Sequence, residues 1–187
     1  MVMTQPSGLR YLTDFLAPAE RDALLSRIDA APWRADLKRR VQHHGWRYDY
    51  RSRRVAPTDR IGPLPDWLGA IAAELVRRGL FERAPDQAIV NEYLPGQGIA
   101  AHVDCEPCFG GVVASLSLGA PVTMDLAPLG GGTKVSVDLV PGSLLVLSGE
   151  ARHAWTHAIP ARKSDVVDGA RRRRERRVSV TFRTVRV

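Results

Sequence analysis

The chain has 187 residues, 44% of them hydrophobic and 25% charged, with a formal net charge of +7. This composition is that of an ordinary globular protein with a sizeable core; no apolar run approaches the roughly 18 residues of a membrane span, and residues 1–10 lack the apolar stretch of a signal peptide. We therefore expect a cytoplasmic monomer that does not bind membranes. The excess of positive charge favours polyanionic partners.

Two helices are predicted in the first half of the chain. Pro18–Ala31 carries Leu24 and Ile28 on one stripe. Leu64–Leu80 repeats apolar residues at a spacing of three to four, and Gly79 favours a helix end.

From residue 88 onward the pattern changes to short alternating or β-branched runs, separated by Gly, Pro and Asp. The predicted strands are Ala88–Leu94, Ile99–Val103, Val112–Leu118, Val122–Leu126, Lys134–Leu139, Ser143–Leu147, Ala154–Ile159 and Val178–Val187. Strands that follow two N-terminal helices predict a mainly β fold with flanking helices, a double-stranded β-helix or jelly roll. We predict one domain over residues 1–187, with its strand-rich core in 88–187, and a mobile surface loop over Arg162–Arg176.

Three side chains in this second half could hold a metal ion. His102 and Asp104 alternate with Val103, so on a strand both point to the same side, and His157 follows later. Two imidazoles and one carboxylate leave one face of an Fe(II) ion open for other ligands. Either histidine alone would more often be a hydrogen-bonded core residue, but the three in this order favour a metal site. His153 is an alternative third ligand.

Two arginines near the C-terminus could bind a carboxylate. Arg177 and Arg183 are six residues apart, so along one strand both point to the same face. A guanidinium offers a planar fork that matches a carboxylate. The alternative is that both belong to a generally basic C-terminus.

The motif Asn91-x-Tyr93-x-Pro95-Gly96-x-x-Ile99-x-x-His102-x-Asp104 resembles the AlkB family of Fe(II)- and 2-oxoglutarate-dependent dioxygenases. The resemblance continues to the C-terminus through Ser115–Gly119, Leu144–Arg152, Trp155-x-His157-x-Ile159 and Arg177-x-Ser179-x-Thr181-Phe182-Arg183. The block Gly149–Ile159, together with Gly45-Trp46-x-Tyr48-x-Tyr50, is most similar to the branch that hydroxylates modified wobble uridines in tRNA.

The resemblance implies an enzyme that uses Fe(II), 2-oxoglutarate and O2. It selects His157 rather than His153 as the metal ligand beside His102 and Asp104.

The resemblance also implies the residues that bind 2-oxoglutarate. Arg177 and the Tyr93 hydroxyl would hold the carboxylate far from the metal, and Arg183 and Asn91 would lie nearer the metal-chelating end. Ser179 occupies a position where relatives often carry Asn, which implies a weaker or water-mediated contact.

Residues 33–54 interleave aromatic and basic side chains, and the resemblance implies a substrate-covering lid in this region. Aromatic rings stack on unpaired bases while cations hold phosphates, which favours single-stranded DNA or RNA, or a flipped base. The alternative is a hairpin core with a solvated basic face. The substrate contacts that we predict are Trp46, Tyr48, Tyr50, Arg51 and, two residues past Asp104, Glu106.

Cys105 and Cys108 are spaced as a C-x-x-C pair. Structural zinc needs about four ligands and no second pair exists, while a redox pair would lack its βαβ context. We expect ordinary thiols in a loop. The basic run Arg171–Arg176 is either a phosphate contact or a solvated loop.

The sequence thus predicts an AlkB-like dioxygenase that demethylates or hydroxylates alkylated or modified bases in nucleic acid, in DNA repair or tRNA modification, with tRNA as a candidate partner. One alternative is an oxygenase of the same fold that acts on a protein or small molecule, because fold does not fix substrate. The other is a non-catalytic nucleic-acid-binding module with a vestigial site, against which the intact metal and arginine residues argue.

Overall fold

The computed structural model describes residues 5–35 and 37–187. In chain order the elements are β1 (Leu9–Leu12), α1 (Pro18–Ala30), β2 (Val41–His44), a 3-10 turn (Pro57–Asp59), α2 (Asp66–Arg77), β3 (Gln87–Tyr93), β4 (Ile99–His102), β5 (Phe109–Gly119), β6 (Val122–Pro128), β7 (Val135–Leu139), β8 (Leu144–Ser148), α3 (Gly149–His153), β9 (Trp155–Ile159), β10 (Ser164–Val167), β11 (Ala170–Arg173) and β12 (Arg177–Val185).

Two antiparallel sheets form the body of the molecule. The large sheet has the order β1-β8-β5-β12-β3-β2 and the small sheet the order β4-β9-β6-β7, while β10 and β11 form a separate hairpin. Side chains from both sheets, among them Leu145 of the large one and Leu126 and Ile159 of the small one, meet in a shared apolar core. This arrangement confirms the predicted mainly β jelly roll.

The helices cover the outer face of the large sheet. Leu24 and Ile28 of α1 and Leu68 and Leu75 of α2 are buried against strands of that sheet. Helix α1, observed over Pro18–Ala30, confirms the predicted helix almost to the residue. The Glu20 carboxylate accepts the Ala17 backbone N–H at 2.7 Å and caps its first turn. Helix α2 is shorter than predicted at both ends.

Strand β12 shows how the fold separates core from cleft. Val178, Val180 and Phe182 point into the core under the helices. The alternate residues, from Arg177 to Arg183, point to the opposite face, which lines a cleft. Strand β12 thus places apolar side chains on its core face and polar or charged side chains on its cleft face.

The sheet reaches further into the first half of the chain than the sequence predicted. Strand β1 pairs with β8, and β2 pairs with β3, so residues before 88 supply two strands of the large sheet.

The expectation of a mobile loop over Arg162–Arg176 is wrong. This segment contains the β10–β11 hairpin, anchored by Asp165, whose side chain is fully buried. The Asp165 carboxylate accepts hydrogen bonds from Arg162, from Arg174 and from the Thr123 backbone N–H. The basic run Arg171–Arg176 is therefore not simply solvated, because Arg174 pairs with Asp165 and stabilises the hairpin.

Within the described residues, no helix combines the length and the apolar character that crossing a membrane requires.

Candidate active site in the cleft

A cavity of about 590 Å³ opens between the two sheets. Strands β3, β5, β8 and β12 line one side of it, and β4, β6 and β9 the other. The predicted residues Asn91, Tyr93, Arg177, Ser179 and Arg183 all line this cavity, as do His102, Asp104 and His157. Residues far apart in sequence thus meet in one cleft.

His102, Asp104 and His157 lie together as the predicted metal set. Each offers one ligand atom, and these atoms all lie within 4.8 Å of one another. His102 ends β4 directly opposite His157 on β9, where an irregularity in the pairing re-aims the end of the strand. His102 Nδ1 lies 2.8 Å from the carbonyl oxygen of Ala100, to which it donates. That hydrogen bond leaves Nε2 as the free ligand atom.

The protonation states of this cluster suit a cation. Burial alone would raise the pKa of Asp104, but Arg183 and the two histidines outweigh it and hold the pKa well below its usual range. Burial lowers the pKa of His157 to about 4, against the opposing effect of Asp104. At neutral pH the cleft therefore presents one carboxylate and a neutral His157 imidazole, a donor set that fits Fe(II).

His153 does not join this group. It ends α3, and its Nδ1 lies 3.2 Å from a carboxylate oxygen of Glu106, with both side chains exposed. Neither residue lines the cavity.

Arg177 is placed to receive a carboxylate. The residue is 2% exposed, and its Nη2 donates to the Ser117 hydroxyl at 3.0 Å. Its Nε and Nη1 are buried and find no hydrogen-bond acceptor among the described residues. Burial lowers the pKa of Arg177 to about 10, so the guanidinium stays charged. Unsatisfied donors on a buried cation are costly, and the far carboxylate of 2-oxoglutarate would satisfy them.

The other predicted co-substrate residues surround Arg177. Its guanidinium lies over the Tyr93 ring, 5.4 Å from the centroid. Asn91 accepts a hydrogen bond from Arg39 Nε at 2.9 Å, so that one of its amide atoms is already engaged. Arg183 departs from the others, because its guanidinium is bound to the metal-set residue Asp104.

Sequence reasoning missed Arg152. This residue of α3 is 2% exposed, and its Nη1 donates to the backbone carbonyl of Asp104 at 3.0 Å. Its Nη2 lies 3.5 Å from the carbonyl of Cys105. The guanidinium thus holds the backbone of Asp104 and of the next residue, Cys105. An arginine within the short motif Gly149–His153 was the available signal.

A loop that we call the lid segment (residues 46–60) covers one side of the cleft. Its ends are tied by the Trp46–Arg60 bridge and by the hydrogen bond from Arg47 N to Asp59 O at 2.8 Å. Gly45 precedes it with φ +79°, and a Cβ there would lie 1.8 Å from the Asp86 carbonyl oxygen. Only glycine fits this entry to the loop.

The lid segment brings some of the predicted substrate contacts to the cavity and not others. Tyr48 and Tyr50 line it, and their rings meet edge to face at 5.1 Å. Trp46 packs instead against a small apolar cluster with Cys108, Phe109 and Val185. Arg51 is exposed outside the cavity lining, as Glu106 is.

The expectation of two ordinary thiols is wrong. A disulfide joins Cys105 and Cys108. The backbone turns tightly after Asp104, with Phe109 N bonded to Cys105 O at 3.2 Å, which brings the two Cα atoms to 5.3 Å. That separation is within the range for a disulfide.

Comparisons with known proteins agree with this geometry. The family model of the 2OG-Fe(II) oxygenase superfamily matches residues 8–183. An Arabidopsis thaliana protein named "Alkylated DNA repair protein ALKBH8 homolog" is 38% identical over 96% of this chain and 58% of its own length. A Xenopus tropicalis "tRNA (carboxymethyluridine(34)-5-O)-methyltransferase alkbh8" is 36% identical over 97% of this chain and 32% of its own length. The chain thus spans about half or less of these two relatives.

A shorter relative and two solved structures complete the comparison. The protein L905 of Acanthamoeba polyphaga mimivirus is 33% identical, with 96% of this chain and 85% of its own length covered. The structure of OsALKBH1 superposes with a TM-score of 0.71 at 21% identity, covering 97% of this chain and 98% of that one. A Pseudomonas putida prolyl-4-hydroxylase gives 0.61 at 21% identity, covering 96% and 94%. At that identity the two structures show a shared fold.

Proposed function

We propose that this chain, which belongs to the 2OG-Fe(II) oxygenase superfamily and within it to the AlkB family, oxidises alkylated or modified bases in nucleic acid. The cofactors of the superfamily are Fe(II), 2-oxoglutarate and O2. The observation that carries the proposal is one cleft that holds both a His–Asp–His cluster and a buried arginine with unsatisfied donors.

His102, Asp104 and His157 would hold the iron. The chemistry that iron supplies there is hydroxylation of an alkyl carbon, coupled to oxidative decarboxylation of 2-oxoglutarate to succinate. Asp104 is kept ionised by Arg183, and His157 is kept neutral by burial, so both are ready to bind a cation without losing a proton.

Arg177 would hold the far carboxylate of 2-oxoglutarate. Its buried Nε and Nη1 have no acceptor among the described residues, and a carboxylate would accept charge-assisted hydrogen bonds from such donors. Tyr93 and Ser179 lie beside it on β3 and β12, where they are paired in register with Arg177 and Asn91 respectively. These side chains would fix the co-substrate so that its other end faces the metal set.

The lid segment supports a nucleic acid substrate. Five of its arginines are exposed, and none forms a salt bridge among the described residues; they are Arg47, Arg51, Arg53, Arg54 and Arg60. The two acids of the segment, Asp49 and Asp59, accept hydrogen bonds from the Arg51 and Ala56 backbone N–H groups. A cationic rim beside a cavity lined by Tyr48 and Tyr50 suits phosphates outside and an unstacked base inside.

The relatives support a modified RNA or an alkylated DNA as that substrate. One is named as an alkylated DNA repair protein and another as a tRNA carboxymethyluridine methyltransferase. Because both are ALKBH8 proteins that match nearly the whole chain, we favour a modified tRNA base. Direct contact of the base with Arg51 or Glu106 stays a prediction, and so does action as a cytoplasmic monomer. For Trp46, whose ring packs against Cys108, Phe109 and Val185, we now expect a role in stability instead.

A product screen tests the proposal. Modified oligonucleotides and tRNA are incubated with protein, Fe(II), ascorbate and 2-oxoglutarate, and succinate and nucleosides are quantified by mass spectrometry. We expect a hydroxylated or demethylated nucleoside in step with succinate. An N-methyl substrate would also release formaldehyde, whereas a carbon-linked side chain would keep its hydroxyl group. Succinate without any altered nucleoside in DNA or RNA would contradict the nucleic acid proposal and favour a protein or small-molecule substrate.

A further inference from the structure

The Cys105–Cys108 disulfide lies between the metal set and the lid segment. Cys105 follows Asp104 directly and lines the cavity. The two sulfur atoms lie 3.4 Å and 3.6 Å from the backbone carbonyl oxygen of Arg53. A disulfide carries no S–H group, so these are packing contacts and not hydrogen bonds. The tip of the lid segment therefore rests on the disulfide.

The backbone at Arg53 adopts an unfavourable conformation. Its φ of 53° lies in the left-handed region that residues other than glycine rarely adopt. The turn is otherwise held by local bonds, with Asp49 N donating to Arg54 O at 3.2 Å and Asp49 Oδ2 accepting from the Ser52 hydroxyl. Since Arg53 also lines the cavity, the position of this turn shapes the entrance to the cleft.

We propose that Cys105–Cys108 is a thiol–disulfide exchange site for a dithiol reductant, and that its redox state sets the order of the lid segment. A thiolate of the reductant attacks Sγ of Cys105, the more exposed of the two residues, and the S–S bond breaks with Cys108 as the leaving thiol. The second thiol of the reductant then displaces Cys105 from the mixed disulfide. Two electrons and two protons end on the two cysteines, and the reductant leaves as a disulfide.

Reduction of the disulfide should shift the lid segment and leave the metal set in place. Bonded sulfurs lie about 2.05 Å apart, and two free thiols must separate to van der Waals contact. The backbone at both cysteines is pinned, because Cys105 O accepts from Arg152 and Phe109 N, and Cys108 O accepts from Arg186 N at 2.8 Å. The side chains must therefore move, and parts of the lid segment pack against them: the Arg53 carbonyl and the side chains of Trp46, Tyr48 and Val55.

Thiol counting tests the exchange step directly. The chain has two cysteines, so free thiols number zero in the oxidised protein and two in the reduced one. Folded full-length protein is equilibrated in buffers of reduced and oxidised dithiothreitol, quenched with acid and alkylated. We expect complete, reversible exchange without denaturant. A pair that reacts only in urea would overturn the proposal, because it would be a buried structural crosslink.

Amide hydrogen exchange tests the effect on the lid. After removal of dithiothreitol, we expect residues 49–54 to exchange several-fold faster in the reduced protein, with β4 and β9 unchanged. The Cys105→Ser/Cys108→Ser double variant is the control, and it should exchange like the reduced protein in both buffers. Equal exchange of the oxidised and reduced wild type would overturn the proposal, as would a difference that the double variant retains.

The last readout rests on the proposed function. Single-stranded oligonucleotide binding, measured without metal, should be several-fold weaker for the reduced protein and insensitive to redox buffer in the double variant. If neither form binds nucleic acid, the proposed substrate class fails while thiol counting and hydrogen exchange still decide the switch. If the oxidised and reduced proteins bind the oligonucleotide equally while their amide hydrogen exchange differs, the claim that the disulfide governs the substrate entrance is overturned.

Discussion

The guanidinium of Arg183 donates to both carboxylate oxygens of Asp104, with Nη2 2.9 Å from Oδ1 and Nε 3.4 Å from Oδ2. The two side chains are nearly buried, and they lie on β12 and just after β4, in opposite sheets. The pair therefore fixes the direction of the Asp104 carboxylate before any metal arrives. The sequence resemblance had implied a role for Arg183 toward 2-oxoglutarate, and the observed contact adds a role in positioning a metal-set residue.

Replacing Arg183 by Gln should weaken metal binding. Loss of an outer partner of a metal ligand typically costs about 10- to 100-fold in affinity, and the unpaired Asp104 would also be easier to protonate. Titration with Mn(II) as an oxygen-insensitive probe measures this. Arg186→Gln is the matched control, since that side chain is exposed three residues further along, just past the end of β12. Equal metal affinity in both variants would remove Arg183 from the metal site.

Substitutions of His157 and His153 should have different effects on activity. His157→Ala removes a metal-set residue and should abolish succinate formation, whereas His153→Ala removes only an exposed contact with Glu106 and should leave it intact. Both should keep the circular dichroism spectrum of the wild type, because neither side chain belongs to the apolar core. Activity in His157→Ala together with its loss in His153→Ala would show that the wrong histidine was chosen.

Arg177→Lys should weaken the binding of 2-oxoglutarate. Lysine keeps the charge but loses the planar fork, and the cost of about 2 kcal/mol would raise the half-saturation concentration about thirtyfold. Decarboxylation rate as a function of 2-oxoglutarate concentration gives this value. Arg173→Lys, an exposed position on β11, is the control and should not change it. An unchanged half-saturation in Arg177→Lys would place Arg177 outside the co-substrate site.

The buried carboxylate of the β10–β11 hairpin should make folding sensitive to acid. Burial alone would raise the pKa of Asp165, but hydrogen bonds from Arg174, Arg162 and Thr123 lower it to about 2. In the unfolded chain an aspartate has a pKa of about 3.9. Ionised Asp165 therefore stabilises the fold fully above that value, and the stabilisation is lost as the pH falls toward 2.

Asp165→Asn should lower the free energy of unfolding at pH 7 by about 3 kcal/mol, because Arg174 would keep a buried charge without its partner. Urea unfolding at pH 7 and pH 3 measures it, and the difference between variant and wild type should shrink at pH 3. Asp168→Asn, an exposed residue of the same hairpin, is the control. If both variants unfold alike at pH 7, the hairpin does not depend on its buried ion pairs.

What could be predicted from the sequence follows a physical divide. Alternation along β12 and the His102-x-Asp104 spacing are local patterns, so His102 was placed with Asp104 and Arg177 with Arg183 in advance. Asn91, Tyr93 and Ser179 were named through the family resemblance. The β10–β11 hairpin could not, because Asp165 and Arg174 read as polar loop residues until the fold joins them. Arg172 likewise pairs with Asp138 on a different strand, β7.

The contacts that the sequence missed act through backbone atoms or through tight turns. Arg152 binds the carbonyls of Asp104 and Cys105, and no side-chain pattern records a bond to a carbonyl. The Cys105–Cys108 bond depends on the turn after β4. Trp46 was chosen for its aromatic ring, and the burial of that ring against Phe109 and Val185 depends on how the lid segment folds.

The lid segment should contribute both stacking and electrostatic energy to nucleic acid binding. Tyr50→Ala removes a ring that lines the cavity and should cost about 1–3 kcal/mol of single-strand binding. Trp46→Ala, outside the cavity lining, should instead lower stability and leave the affinity of the folded protein nearly unchanged. Equal losses of affinity in both variants would return Trp46 to the substrate site.

Neutralising Arg51, Arg53 and Arg54 together should weaken binding to every sequence and flatten its dependence on salt, because fewer counterions are released from the phosphates. A triple Gln variant of Arg10, Arg27 and Arg77, all exposed outside the lid segment, removes the same net charge and controls for it. Single-stranded DNA and RNA are titrated side by side over a range of salt concentrations, with 2-oxoglutarate affinity as a check on the fold. If the lid variant keeps the salt slope of the wild type, or if the control variant loses as much, the phosphates do not bind at the lid segment.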